Sequence, residues 1–128
     1  MSSEELTGII LKSTVFFEKD RRLTILTKER GRTTALVRGG SSIQKKWGAL
    51  IEPLNLNKIQ AKKGKSFLYI NHCDIVESYS FIRTNWDRLT LALYWVDIVI
   101  KATSSEQENP ELFYLFQSAL QQLSQEAT

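Results

Sequence analysis

From Thr7 to about residue 80 the apolar positions recur mostly every second residue; beyond that they recur every third or fourth. Thr7–Phe17 (TGIILKSTVFF) is dense in β-branched and aromatic residues, which suit a pleated, half-buried surface. Leu23–Thr27 (LTILT) alternates apolar side chains with threonine. Arg32–Arg38 (RTTALVR) follows across Lys28-Glu29-Arg30-Gly31, a turn whose glycine can take a positive φ, so 23–38 predicts a hairpin. Gly39-Gly40-Ser41-Ser42 opens a loop, and Ile43–Leu50 is ambiguous, with room for a short helical turn. Pro53 leads into a strand over Leu54–Ala61. Lys62-Lys63-Gly64-Lys65 turns the chain into a fifth, long strand at Phe67–Ser78. Five strands joined by two hairpins, with a longer connection between the third and fourth, predict an OB-type β-barrel over residues 1–80.

Residues 81–128 read as helix. Thr84-Asn85-Trp86-Asp87 fits an [ST]-x-x-[DE] start, and the helix runs to about Ala102. Its segment Leu89–Ile100 is apolar at every position but Thr90 and Asp97, so it predicts burial on more than one side. Thr103–Glu108 reads as a polar linker. Asn109-Pro110 supplies a cap and a first-turn proline to a second helix, whose stripe is Leu112, Phe113, Phe116, Leu120 and Leu123. Residues 124–128 read as a frayed end. The class is α+β: a five-stranded OB-fold barrel followed by two α-helices. One short second helix cannot cover both sides of Leu89–Ile100. The expectation is therefore a fragment of a longer chain or a homo-oligomer joined through that helix.

Composition adds exclusions. Apolar residues make up 42% and charged residues 24% of 128, so low complexity and bulk disorder are ruled out for the chain as a whole. The longest apolar run is shorter than the roughly 20 residues a membrane span needs. The opening MSSEELTG has no secretory or transit pattern, which sets the expectation of a reducing cytoplasm, at the nucleoid. Cys73 is the one cysteine, so neither an internal disulfide nor a multi-thiolate zinc site is expected. There is no GxxxxGK[ST] and no GxGxxG. His72 reads as a partly buried mid-strand histidine with no carboxylate at ligand or triad spacing, and Cys73 as a small packed residue. Glu18 and Asp20 read as a salt-bridged turn rather than an acid–base pair. No catalytic residue, cofactor or metal is expected, so an enzyme is not.

Charge changes the picture most. The net +3 is a cancellation: residues 1–82 carry 14 Lys/Arg against 8 Asp/Glu, and residues 83–128 carry 3 against 6. Within 19–65 the count is 13 basic to 3 acidic. Single-sign clustering of this kind is the footprint of a nucleic-acid-binding face. Lys19, Arg21 and Arg22 precede the second strand; Lys28, Arg30 and Arg32 surround the first hairpin turn; Arg38 closes the third strand. Lys45 and Lys46 stand in the loop beside Trp47, and Lys62, Lys63 and Lys65 decorate the second hairpin turn. Such a face holds phosphates, while aromatics stack on bases. Trp47 is the candidate stacking residue, with burial in the core as its alternative. No base-reading helix is evident, so little sequence preference is expected.

These residues resemble a known family. The run Glu18-Lys19-Asp20-Arg21-Arg22-Leu23 through Gly31 resembles the N-terminal signature of the bacterial recombination mediator family RecO. So do Thr7–Lys12, Val37-Arg38-Gly39-Gly40, Gly48–Pro53 and Asn109–Phe113, in order along nearly the whole chain. The resemblance implies an OB domain followed by a helical domain, binding to single- and double-stranded DNA, strand annealing, and recombinase loading. It implies a RecR-like partner and contact with single-strand-binding protein, and no catalysis. Arg21, Arg38 and Gly39 match the motifs directly. Family members continue into further helices, many with a cysteine zinc site there. A reading of another class is a protein-interaction module, in which barrel and apolar helix serve assembly.

Overall fold

The structure, a computed structural model, describes residues 3–40 and 47–125. Its first part is a closed barrel of five strands, β1 (Ser3–Phe16), β2 (Asp20–Thr27), β3 (Gly31–Val37), β4 (Leu56–Lys63) and β5 (Leu68–Glu77), in the order β1-β2-β3-β5-β4. A 3-10 turn at Gly48–Ile51 lies before β4. Helices α1 (Ser80–Arg83), α2 (Trp86–Ala102) and α3 (Pro110–Leu123) follow. The OB-type barrel followed by helices is the architecture expected from the sequence.

The long first strand serves two neighbours. Its residues Ser3–Ile9 pair with Leu56–Lys62 of β4, and Gly8–Phe16 pair with Asp20–Thr27 of β2. Leu6 and Ile10 join the core inside the barrel with Leu23, Ile25, Ile59 and Ile70. Ile9 and Leu11 join a second core outside it, with Leu26 and Leu56 and the helical residues Ala92, Val96, Phe113 and Phe116. A strand covered on both faces carries a continuous apolar run rather than an alternating one, which accounts for Ile9-Ile10-Leu11.

Several boundaries differ from the expected ones, each for a local reason. The fourth strand starts at Leu56, not Leu54: Leu54 is fully buried in a left-handed turn at φ +78, its N–H on the Ile10 carbonyl at 2.7 Å. Helix α2 is capped by Asn85, whose side chain accepts the Arg88 N–H at 3.0 Å. The expected cap Thr84 instead donates its hydroxyl to the Phe81 carbonyl. The one-turn helix α1 was not predicted, being too short to show a period. Its Arg83 holds three acceptors, the Ser78 and Pro53 carbonyls and Asn55 Oδ1, at 2.9, 2.7 and 2.7 Å. The second helix begins as expected, with Asn109 accepting the Leu112 N–H and Pro110 at the first position. Residues 43–46 and 126–128, part of the expected helical turn and of the frayed end, lie outside the described residues.

Two expectations are corrected. Leu89–Ile100 is not buried on more than one side: Ala92, Val96 and Val99 are buried, while Leu91, Leu93, Tyr94 and Ile98 are exposed. The barrel and α3 reach only one face of α2. The segment Thr103–Glu108 is not a plain linker. It lies along β3, with Arg32 bridged in parallel to Ser105 and the Glu106 N–H on the Arg32 carbonyl at 2.7 Å. Gly31, at φ +72, makes room for it: a Cβ there would sit 2.0 Å from the Gln107 carbonyl oxygen.

The outer core joins helices to barrel through Phe113, which is fully buried. Phe113→Ala should lower the unfolding free energy by about 3–5 kcal/mol in urea denaturation, because it removes a large ring from a packed site. Leu115→Ala, two residues on but 67% exposed, should change it by less than about 0.5 kcal/mol. Equal effects would contradict this packing.

Candidate nucleic-acid interface

The candidate cations among the described residues fall into two groups. Arg21, Arg30 and Arg32 hold the fold. Arg21 donates from Nε and Nη2 to the Ser13 hydroxyl and carbonyl, both at 2.8 Å. Arg30 pairs with Glu4 at 2.8 and 2.9 Å and with Glu106 at 3.0 Å. The hydrogen bond to Glu4 is the main reason its guanidinium pKa is raised, and Glu106 adds to it. Arg32 donates to the Thr103 hydroxyl and carbonyl, both at 2.7 Å. The Thr33 hydroxyl also bonds the Glu106 carboxylate. These contacts clasp the 103–108 segment to the barrel.

The second group faces solvent. Lys19, Arg22, Arg38, Lys62, Lys63 and Lys65 are all exposed. Arg22 on β2 pairs across to Leu36 on β3, Leu36 pairs to Tyr69 on β5, and Tyr69 pairs to Lys62 on β4. Paired positions share a face of the sheet, so these residues form one row across four strands. Arg38 lies over the Tyr69 ring at 5.1 Å, a cation–π distance. Gly64 lets the turn close against that ring: a Cβ there would meet Tyr69 Cε2 at 2.3 Å. Tyr69 was not singled out from the sequence. The signal available was an aromatic residue just past a lysine-rich hairpin turn.

Next to this row, a cleft of about 400 Å³ is lined by Lys63, Lys65, Ser66, Thr33, Thr34 and the clasped Arg30 and Glu106, among others. Gly39, at φ +72, donates its N–H to Asp20 Oδ1 at 2.9 Å, tying the start of β2 to the turn after β3. That contact gives Asp20 a structural role. Lys45 and Lys46 lie outside the described residues. Trp47 is 9% exposed and packed in the inner core with Ile51 and Ile70. The burial alternative therefore holds for this ring, because the 3-10 turn folds it over the barrel end.

His72 is mid-strand as expected, but it is exposed and its Nε2 is 3.2 Å from Asp74 Oδ2. The bulge opposite Gln60 and Ala61 leaves Asn71 extra, which puts His72 and Asp74 on the outer face and Cys73 inside. Cys73 is buried as expected and receives the Asn57 Nδ2 hydrogen at 3.0 Å. Among the described residues no group of three or more His, Cys, Asp or Glu is arranged to hold a metal. None of their helices is long and apolar enough to cross a membrane.

Residues 1–79 match the family Recombination protein O N terminal, and residues 83–128 match Recombination protein O C terminal. The chain belongs to the RecO family. It is 36% identical over 117 residues to DNA repair protein RecO of Acaryochloris marina, covering 91% of this chain and 40% of that protein. The RecO of Acetivibrio thermocellus is 32% identical over 124 residues, covering 97% of this chain and 49% of that protein. The RecO of Anaeromyxobacter dehalogenans (strain 2CP-1) is 28% identical over 125 residues, covering 96% and 49%. The chain thus spans about half the length of the curated RecO relatives it matches. Of the three residues on which the motif resemblance rests, Arg21 and Gly39 have structural partners, and Arg38 stands beside the exposed row.

Burial pushes the Cys73 thiol up from 9.0 to about 11 and the Tyr79 hydroxyl up from 10.0 to about 12. Both groups hold their proton more tightly folded than unfolded, so unfolding at high pH releases it. Their contribution to stability is whole below about pH 9 and is lost as pH rises through 11 and 12. Denaturation curves should therefore show stability falling from pH 9 to 11, and Cys73→Ala should flatten the first part of that fall. A parallel fall in the variant would rule out the thiol as its source.

Proposed function

We propose that this RecO-family chain binds single- and double-stranded DNA through the exposed cationic row of its barrel and catalyses no reaction. Residues 1–80 would form the DNA-binding domain and residues 81–128 a helical segment that braces it. The observation that carries this reading is the row Arg22–Tyr69–Lys62 with Arg38 laid over the ring, extended by Lys63, Lys65 and Lys19 at the neighbouring turns. Cations spread over a face some four strands wide, at roughly 4.8 Å per strand, span several phosphates of a nucleic-acid backbone. Neutralising two strands on one surface lowers their mutual repulsion, which supports strand annealing and, within DNA repair and recombination, loading of a recombinase. The relatives' name, DNA repair protein RecO, supports the same role. RecR-like and single-strand-binding-protein partners and a cytoplasmic, nucleoid location belong to this proposal. Lys45 and Lys46 extend the face on sequence grounds alone.

The protein-interaction reading keeps one specific observation in its favour. Leu91, Leu93, Tyr94, Ile98, Tyr114 and Leu115 leave an apolar surface on the helices. It concerns a different face, so the two readings separate cleanly by mutation.

In fluorescence anisotropy at low salt, the triple reversal of Arg22, Arg38 and Lys62 to Glu should weaken DNA binding at least ~100-fold. It should also reduce the salt slope on duplex by about 2–3, since each lost phosphate contact removes about 0.9. Arg30→Gln should leave affinity within about twofold and lower stability instead, because Glu4 and Glu106 already take up its charge. An unchanged slope in the triple variant would remove the row from the interface.

A further inference from the structure

The barrel end beyond the cationic row carries an exposed aromatic cluster that the phosphate contacts leave unused. Phe16 closes β1, Phe17 opens the turn to β2, and Phe67 stands just before β5. The Phe16 and Phe17 rings meet edge to face at 4.6 Å and 69°, and the Phe16 and Phe67 rings at 5.8 Å and 67°. Phe16 is therefore braced from both sides and supports Phe17 from within. Phe17 itself is 78% exposed. Its backbone is at φ +56, a left-handed conformation that favours glycine or asparagine and disfavours a bulky side chain. A large apolar ring is thus displayed where burial does not reward it and the turn would close more easily without it.

The charges around the cluster indicate its occupant. Lys19 follows Phe17 by two residues and Lys65 precedes Phe67 by two; both are exposed, with Glu18 the exposed carboxylate between Phe17 and Lys19. Arg22 begins the cationic row on the adjoining strand. An aromatic face flanked by cations suits a π-system that carries its own anion, as a nucleotide does. In the interior of a duplex the base faces are stacked on one another, so away from duplex ends it is an unpaired base that offers a face to Phe17.

Resting on the reading of the barrel as a DNA-binding face, we infer that Phe17, braced by Phe16 and Phe67, is a stacking site for an unpaired base. Lys19 and Lys65 hold the phosphates on either side. This end of the barrel then favours single-stranded segments, while the cationic row binds either strand form. The ring that stacks is this one and not the buried Trp47.

The test is anisotropy of the whole chain with three labelled oligonucleotides of equal length: single-stranded, a duplex whose two ends are closed by non-nucleotide linkers, and a single strand whose central sugars lack bases. Phe17→Ala should weaken single-strand binding about 10-fold, within the range a lost base stack gives. It should leave duplex and abasic-strand binding within about twofold and the salt slope unaltered. Phe17→Trp should restore single-strand affinity and add tryptophan quenching on the single strand that duplex does not produce. If Phe17→Ala binds the single strand as tightly as the unmodified chain, or loses single-strand and duplex affinity equally, the inference is overturned. The same holds if its one effect is reduced self-association in sedimentation. If the unmodified chain binds no oligonucleotide at all, the reading of the basic face fails, and this inference with it.

Discussion

Closing five strands into a barrel leaves one pair of neighbours running parallel, because an odd number of strands cannot alternate direction all the way round. In this chain they are β3 and β5, and they meet in parallel at only two positions, Ala35 with Leu68 and Leu36 with Tyr69. Parallel pairing is slanted and weaker per residue than the antiparallel kind, and two pairs make a short seam. The rest of the β3 edge needs partners for its backbone. Below the seam the 103–108 segment supplies them, through the Arg32–Ser105 bridge and the Glu106 N–H on the Arg32 carbonyl. Above the seam, Arg38 lies across Tyr69 and joins the end of β3 to β5 by side chains.

That seam sorts the basic residues. Arg30 and Arg32 sit where the covering segment passes, so their guanidinium groups are taken up by Glu4, Glu106 and Thr103. Arginine suits this use because its fork of donors can hold two acceptors at once. Arg38 sits beyond the seam and keeps its charge in solvent over an aromatic ring. Lysines fill the turns, where a compact, strongly hydrated charge costs little order. The excess of 13 basic over 3 acidic residues in 19–65 thus has two components. One part is internal neutralisation of the clasp, and the other is the surface charge that DNA would meet.

Much of the fold was legible because its signals are local. The turn at Gly31, the Asn109-Pro110 helix start and the change of period near residue 80 each sit within a few residues of their effect. The clasp was not legible: Arg30 and Glu106 are 76 residues apart, and nothing in either neighbourhood announces the other. Thr84 and Asn85 are both good caps, and the choice between them turned on α1, a single turn without a period. For the candidate site, charge density could not say which cations were engaged within the fold and which were left to solvent. Trp47 looked like a stacking residue because lysines precede it, yet flanking charge says nothing about whether a ring folds inward. On the basic side of the barrel the exposed Phe17 and the half-exposed Tyr69 lie in runs that read simply as strand.

The placement of the helices also limits where a polyanion can lie. They pack on Leu26 of β2, Leu56 of β4, and Ile9 and Leu11 of β1. Arg22, Lys62 and Phe16 stand on the same three strands, four to six residues away from those contacts. At roughly 3.3 Å per residue that is about 13–20 Å, beyond a Debye length of ~8 Å at physiological salt. The helical residues 83–128 carry 3 basic against 6 acidic side chains. Glu106 is the exception, lying in the cleft with Lys63 and Lys65, where Arg30 takes up its charge; on the proposed reading the rest would repel a phosphate backbone mainly near the helices and only weakly, through screening, at the cationic row. On the same reading, a barrel with one end basic and aromatic, and helices of net negative charge packed toward the other, would confine nucleic acid to the first end.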